Sequence, residues 1–358
     1  MTRYRLAVIP GDGIGREVVP EGLKVLRAAG ERFGFGLDVQ TFPWGCGYYL
    51  QYGAMMPPDG LDLLRGADAI YLGAIGDPRV PDHVSLWGLL LPIRQTFDLY
   101  VNLRPIRLLE GIPSPLAGRG PADVDIVFIR ENTEGEYAGV GGRIGVGTPH
   151  EVALQTAVYT RRGVDRILRY AFELARARRR KLAHITKSNA LQYTAVFWDE
   201  VAAQVARDYP DVEVWKLHVD AAAYQMLLHP DWFDVMVGSN LYADILTDLG
   251  AGIQGSLGLA ASANLDPTRV HPSLFEPVHG SAPDIAGRGV ANPMAAIWSA
   301  SLMLEHLGER DAAAAVFEAL QAVARRGTPR TPDLGGRATT AQVGDAVAAA
   351  LQDVEARR

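Results

Sequence analysis

The chain has a single cysteine, Cys46, among 358 residues. One thiol cannot close an internal disulfide and belongs to no CxxC pair, so a disulfide framework and a cysteine-based zinc site are excluded and a reducing compartment is expected. No apolar run reaches the roughly 20 residues needed to cross a bilayer. The opening stretch MTRYRLAVIPGDG passes straight into a strand-like segment whose apolar part is too short for a signal peptide, so a cytoplasmic location is expected. Excess positive charge is lacking too: 35 Lys and Arg stand against 41 Asp and Glu, a formal charge of −6. Neither nucleic acid nor an anionic membrane is therefore expected as a partner, and an anionic ligand must be met by local basic residues.

What the chain does have is turns and a large apolar fraction. It holds 38 Gly, 22 Pro and 48% hydrophobic residues, the composition of a folded protein with many connections. Its length exceeds what one core usually fills, which predicts two lobes. Buried strands are predicted at 5–9, 69–72, 125–129, 182–186 and 233–237, with helices at 17–33, 163–177 and 311–325. The second helix places Val164, Ile167, Leu168, Ala171 and Leu174 or Ala175 on one face, and the alternation makes the fold α/β. Between them, 111–121 reads as a surface excursion. The glycine-rich 139–148, followed by a strand-like 151–159, reads as a β-turn or arm or as a functional loop. The basic run RARRRK at 176–181 ends a helix, where cations suit the dipole, and is expected to be a solvated face.

After the first strand, IPGDGIGRE invites a dinucleotide-binding reading. Gly11, Gly13 and Gly15 give GxGxG, however, where that motif needs GxGxxG, and no strand-end acid follows. A Rossmann domain is not expected.

Three groups of residues carry chemistry. In GSNLYADILTDLG (238–250), Asp244 and Asp248 fall four apart on one helix face, with Leu241, Ile245 and Leu249 assigned to the other side. Two such carboxylates repel, and a hard divalent cation relieves them; Asp220 in KLHVDAAAY is a third acid, and an all-oxygen set suits Mg2+ or Mn2+. A solvated helix face is the alternative. Arg94 (PIRQTFDLY), Arg104 (NLRP) and Arg130 (FIRENTEGEY) offer guanidinium forks for carboxylates, although any one alone is commonly a salt-bridge residue. Tyr137 and Lys187 are candidate acid and base. Finally, LFEPVHGSAPDIAGRGVANP (274–293), with His279 and Asp284, has the exposed backbone of a nucleotide loop or of a plain structural one.

Taken in order, IPGDGIG, NLRP, RENTEGEY, TKSN, SNLYADILTDLG and EPVHGSAPDIAGRGVANP resemble the β-decarboxylating dehydrogenases, the isocitrate and 3-isopropylmalate dehydrogenase family, nearly end to end. The segment DHVSLWG (82–88) and the stretch TRRGVDRILRYAFELA look most like its tartrate and decarboxylating D-malate members. The resemblance implies a two-lobed α/β fold around a large mixed sheet, with 1–100 and 255–358 in the first lobe and 101–254 in the second. It implies NAD-linked oxidation and β-decarboxylation of a small 2-hydroxy diacid, with NAD and Mg2+ or Mn2+ as cofactors and a monovalent cation as a further candidate. By the same resemblance Arg94, Arg104 and Arg130 grip carboxylates, Tyr137 is the acid and Lys187 the base. Asp220, Asp244 and Asp248 hold the metal, with Lys187 and Asp220 supplied by the second subunit of a homodimer. Glu276, His279, Gly280, Ser281, Ala282, Asp284, Ile285 and Asn292 hold the cofactor, Asp284 favouring NAD because a carboxylate repels a 2′-phosphate.

Substrate choice is expected to rest on residues 85–93, with Trp87, Leu90 and Leu91 against the substrate. Here the chain departs from the tartrate and D-malate pattern, which has a serine where Leu89 stands and a lysine where Pro92 stands; Pro92 is expected in a first helical turn. Two other readings stay open: a 3-isopropylmalate dehydrogenase, and a non-catalytic nucleotide- or carboxylate-binding protein.

Overall fold

The computed structural model describes residues 2–354. Among these are twelve strands: β1 (Thr2–Gly11), β2 (Phe35–Thr41), β3 (Ala69–Ala74), β4 (Val101–Arg107), β5 (Asp125–Glu131), β6 (Gly135–Ile144), β7 (Val152–Val158), β8 (Lys181–Thr186), β9 (Glu213–His218), β10 (Val235–Gly238), β11 (Ala261–Leu265) and β12 (Ser273–Pro277). The described chain divides into two compact units, one of residues 2–99, 107–122 and 251–354, the other of 100–106 and 123–250.

In the first unit the strand order is β2-β1-β3-β12-β11. β1 runs parallel to β2 and β3, and β12 parallel to β3, whereas β11 and β12 are antiparallel. The sheet is thus mixed. Its order, with the chain's late strands β12 and β11 laid beside β3, is not that of a Rossmann domain, as the glycine spacing predicted. The runs LAVI and AIYLGA are buried throughout because both faces are covered. On one face Ala7, Ile9, Ile70, Leu72 and Leu274 share a core with Phe42, Trp44, Leu89 and Phe97. On the other, Tyr71 donates to the carbonyl of Ala296 at 2.8 Å, and Gly22 is glycine because a Cβ there would lie 1.8 Å from the Tyr71 hydroxyl.

The glycine motif becomes the turn between β1 and the helix Gly15–Phe33. Gly13 has φ +49°, and a Cβ on it would come within 2.0 Å of the Ser281 carbonyl oxygen, which accepts from the Ile14 N–H at 2.9 Å. The buried Asp12 carboxylate takes the N–H groups of Cys46 and Gly76 at 2.9 and 3.1 Å, tying the turn to two further loops.

Residues 107–122, expected in the second lobe, belong to the first unit. Leu108, Leu109 and Ile112 are buried there, and Gly111 (φ +84°) lies so close to the helix Arg310–Arg326 that a Cβ would meet the Ala324 carbonyl oxygen at 2.3 Å.

The second unit has the order β4-β5-β10-β8-β9, with β5, β10, β8 and β9 parallel. The helix Arg161–Ala177 covers it, burying Val164, Ile167, Leu168, Ala171, Phe172 and Ala175, and starts where the Thr160 hydroxyl accepts from Gly163 N–H. The glycine-rich segment forms an antiparallel hairpin, β6 with β7, and its Ile144, Val146 and Leu154 are exposed.

The basic run is not simply a solvated face. Asp234, fully buried at the start of β10, accepts from Arg178 Nε and the Arg179 backbone N–H, both at 2.7 Å. No helix among the described residues is long and apolar enough to cross a membrane.

Replacing Asp234 with alanine strips two donors of their acceptor and is expected to cost roughly 2–4 kcal/mol, read as a lower urea midpoint at unchanged slope. Gly13→Ala combines a positive φ with a backbone clash and is expected to lose about 2 kcal/mol in the same measurement.

Candidate active site

In the second unit, two nearly buried arginines reach one carboxylate. β4 presents Arg104, which donates from Nε to Asn102 Oδ1 at 2.7 Å and from Nη1 to Thr247 Oγ1 at 2.5 Å. β5 presents Arg130, whose Nε donates to Asn240 Oδ1 at 2.8 Å and whose Nη1 bonds the Asp244 carboxylate. Arg104 Nη1 lies 3.6 Å from the same Asp244 oxygen, and the Tyr137 hydroxyl donates to the other at 3.0 Å. The arginine side chains are 7% and 3% exposed while Asp244 is 40% exposed, so the carboxylate faces outward from a cationic floor.

Burial and the neighbouring Asp244 charge push the Tyr137 hydroxyl up, with Arg130 opposing, so this phenol keeps its proton at neutral pH. Asp248, one turn beyond Asp244, is also lifted, by burial first and by the Asp244 charge, against the pull of Arg104. The turn leading into β6, the strand that carries Tyr137, is closed by Glu131, which takes the N–H groups of Thr133 and Glu134, both at 2.9 Å, and whose carboxyl burial pushes up to about 7.

The helix bearing the two aspartates, Asn240–Ile253, faces otherwise than expected. Ile245 is 60% exposed, while Ala243, Leu246, Thr247 and Gly250 point inward. A Cβ on Gly250 would meet Ile106 at 2.3 Å, so the helix approaches β4 closely there, and Leu246 is the one large apolar residue of its inward stripe.

Lys187, just past β8, donates to Asp220 Oδ1 at 2.7 Å, and Asp220 opens the helix Val219–Leu228. The Lys187 hydrogen bond holds the Asp220 carboxyl below its ordinary range. Among the described residues no group of three or more acidic, histidine or cysteine side chains gathers as a metal site, so Asp220 does not join Asp244 and Asp248 within one chain.

In the first unit, Arg94 donates to Glu276 Oε1 at 2.8 Å, and Asn264 donates to the same oxygen at 2.9 Å. Arg94 Nε is buried without a partner. His279 follows β12; its Nδ1 meets the Gly280 carbonyl at 3.0 Å, its Nε2 is buried and unpartnered, and burial lowers its pKa. Ser281 is tied to the glycine turn, and Ala282 has φ +42°, a left-handed kink after which Ile285 N–H returns to its carbonyl at 3.1 Å. Asp284 is exposed. Beyond it, Glu17 takes the N–H groups of Gly287 and Gly289 at 2.6 and 2.8 Å, and Asn292 Nδ2 donates to Asp333 at 3.0 Å.

Residues 82–96 form a continuous helical stretch whose middle, Leu86–Leu90, is π-helical, with Leu91 N–H bonded to the Leu86 carbonyl. Pro92 then stands in the first turn of Leu91–Thr96, where its absent N–H costs least. Leu90 and Leu91 are 8% and 2% exposed, and Trp87 is 39% exposed, so within this chain Trp87 is the one of the three with free surface.

Sequence reasoning missed Asn102, Asn240 and Thr247, which aim the arginines, and Glu17 and Asp333, which brace the loop. The GDG and SNLY motifs contain the only hints, Asp12 and Asn240.

A family profile described as isocitrate/isopropylmalate dehydrogenase matches residues 5–347. The chain is 53% identical over 355 residues to the decarboxylating D-malate dehydrogenase of Escherichia coli K12, covering 97% of this chain and 98% of that one. It is 54% identical over 353 residues to a probable tartrate dehydrogenase/decarboxylase of Agrobacterium vitis, with 98% of each covered. The crystal structure of isocitrate dehydrogenase from Methylococcus capsulatus superposes with a TM-score of 0.87 at 39% identity, covering 98% of this chain and 99% of that one. With the mixed α/β fold and a match along nearly all its length, the chain belongs to the isocitrate/isopropylmalate dehydrogenase family of enzymes.

Proposed function

We propose that this enzyme oxidises and β-decarboxylates a small 2-hydroxy diacid, D-malate or tartrate, using NAD and Mg2+ or Mn2+. The observation that carries the reading is Asp244, an outward-facing carboxylate held by Arg130 and Arg104 and touched by the Tyr137 hydroxyl. The names of the relatives at 53 and 54% identity support the substrate class.

The residues fit both absent groups. Burial and the Asp244 charge raise the cost of ionising Asp248, which a hard cation would relieve through oxygen ligands, and the partner subunit's Asp220 would complete the set in a homodimer. The exposed apolar residues of the second unit, Ile144 and Leu154 on the hairpin and Ile245 on the aspartate helix, support a two-chain assembly. For NAD, His279 Nε2 is a buried acceptor without a donor, and Gly280, Pro283 and Asp284 of the kinked loop are exposed. When bound, NAD would supply a hydride acceptor and the divalent ion would polarise the C2 hydroxyl and C1 carboxylate.

The protein's own groups then divide the work. Arg94, Arg104 and Arg130 clamp the carboxylates through guanidinium forks; each is already buried and paired with a carboxylate, Arg94 with Glu276 and the other two with Asp244, so the substrate is taken by exchange of one carboxylate for another. The partner subunit's Lys187 removes the C2 hydroxyl proton. Tyr137, kept protonated by burial and by Asp244, delivers a proton to the carbon that loses CO2. D-malate would yield pyruvate. Trp87, with Leu90 and Leu91 behind it, sets the apolar wall beside the substrate. The single thiol accords with work in the cytoplasm.

Absorbance of NADH across D-malate, L-tartrate, meso-tartrate, 3-isopropylmalate and isocitrate is expected to favour the first three, with Mg2+ or Mn2+ required and EDTA abolishing turnover. A clear preference for 3-isopropylmalate would overturn the substrate assignment. Lys187→Met is expected to lower kcat roughly 10²–10⁴-fold while leaving NAD binding by calorimetry intact, and unchanged turnover would remove Lys187 as the base.

A further inference from the structure

The first unit contains a second cationic hollow that the reaction does not use. It is a cavity of about 460 Å3 lined by Arg3, Arg5, Arg65 and Arg269, with Asp68 as the one carboxylate in its wall. That volume falls within the range of small-molecule sites, roughly 300–1,000 Å3. It lies where β1 begins and just ahead of β3 and β12, at the starting ends of three parallel strands. The candidate cofactor loop leaves the finishing ends of those strands, so the two sites occupy opposite edges of one sheet.

Its arginines are differently committed. Arg5 is held by Asp68 at 3.0 Å, while Arg3 and Arg65 pair at 3.2 and 3.1 Å with Asp38 and Asp62, which lie outside the cavity wall. The Arg3 and Arg65 pairs are exposed on both sides and contribute little, so an incoming anion can exchange them, whereas Asp68 is half-buried and also takes the Arg5 backbone N–H. Arg269 pairs with no carboxylate among the described residues. Its backbone is left-handed (φ +58°), an uncommon state for a non-glycine residue that its surroundings must enforce. The enforcing group is the buried Asp266 carboxylate, which takes the N–H groups of Thr268, Val270 and His271 at 2.9, 3.0 and 3.0 Å, while its carbonyl takes that of Arg269 at 3.0 Å. These hydrogen bonds tie the loop in the shape that presents Arg269. His271, in the wall, stacks on Phe97, and Arg65 lies 5.6 Å over the other partner of that stack, which fixes two more lining groups.

We infer that this hollow is a binding site for a small polyanion carrying at least two phosphate or carboxylate groups, gripped by Arg269 and Arg65 with Arg3 and Arg5 closing on it. Guanidinium forks recognise both groups bidentately, so the shared chemistry is a pair of oxyanions.

Isothermal titration of the full-length protein with pyrophosphate and, separately, with tricarballylate, in metal-free buffer at about 0.1 M KCl, tests this. Saturable binding of one per chain is expected for at least one probe, and the probe that binds identifies phosphate or carboxylate as the source. The active-site arginines also attract anions, so three variants separate the sites. Arg269→Gln and Arg65→Gln are each expected to weaken binding roughly tenfold or more while keeping wild-type turnover, which shows that they are folded; Arg130→Lys is expected to leave the affinity unchanged. Absence of saturable binding by either probe, or binding that survives Arg269→Gln and disappears in Arg130→Lys, would overturn the inference.

Discussion

Asp244 is the point at which the second unit's electrostatics balance. Two guanidinium groups with almost no solvent exposure converge from adjacent strands, and without a counter-charge each would pay the full cost of desolvation beside a like charge. One carboxylate offsets both. The helix that carries it follows from this: it docks through Ala243, Leu246, Thr247 and Gly250 and through its contacts with Arg104 and Arg130, with Leu246 the one large apolar side chain in that stripe. Under the proposed reading, a dicarboxylate and a divalent cation arrive as an exchange. The arginines would then pair with the substrate carboxylates and Asp244 would be free to help hold the cation, so that neither side would be left unpaired.

Much of the framework was legible because buried parallel strands announce themselves. LAVI, AIYL and DIVFI are apolar without alternation since helices and loops cover both faces, and the Val164–Ala175 stripe follows helical period closely. The error on 240–253 has a clear source. Leu241, Ile245 and Leu249 form the obvious apolar stripe, yet the inward stripe is Ala243, Leu246, Thr247 and Gly250, chosen for close approach and for polar contact with Arg104. Periodicity weighs residue size and undercounts a face in which one leucine is set among small and polar residues. The basic run misled for another reason: Asp234, which anchors Arg178 and Arg179, lies 56 and 55 residues further along the chain.

At the candidate site the types of residue were readable and their partners were not. Three arginines, three aspartates, a tyrosine and a lysine stand in motifs that suggest their chemistry, but small amides and hydroxyls that aim them carry no periodic signal. Asn102, Asn240 and Thr247 are of this kind, as is Glu17, a first-turn helical acid that turns out to hold the backbone of residues 287 and 289. Pro92 was partly legible. Its need for an early helical position is met by widening the preceding turn into a π-helix, a local solution that no residue pattern specifies.

The first unit is assembled from both ends of the polypeptide, and this sets the order in which it can be completed during synthesis. β3 emerges about 200 residues ahead of its neighbour β12, and until then presents an unpaired, wholly apolar edge. The second unit, encoded almost entirely between, can fold while that edge waits. A nascent chain stalled before residue 273 therefore leaves a sticky half-sheet, a natural target for chaperones and a place where slow translation would be felt first.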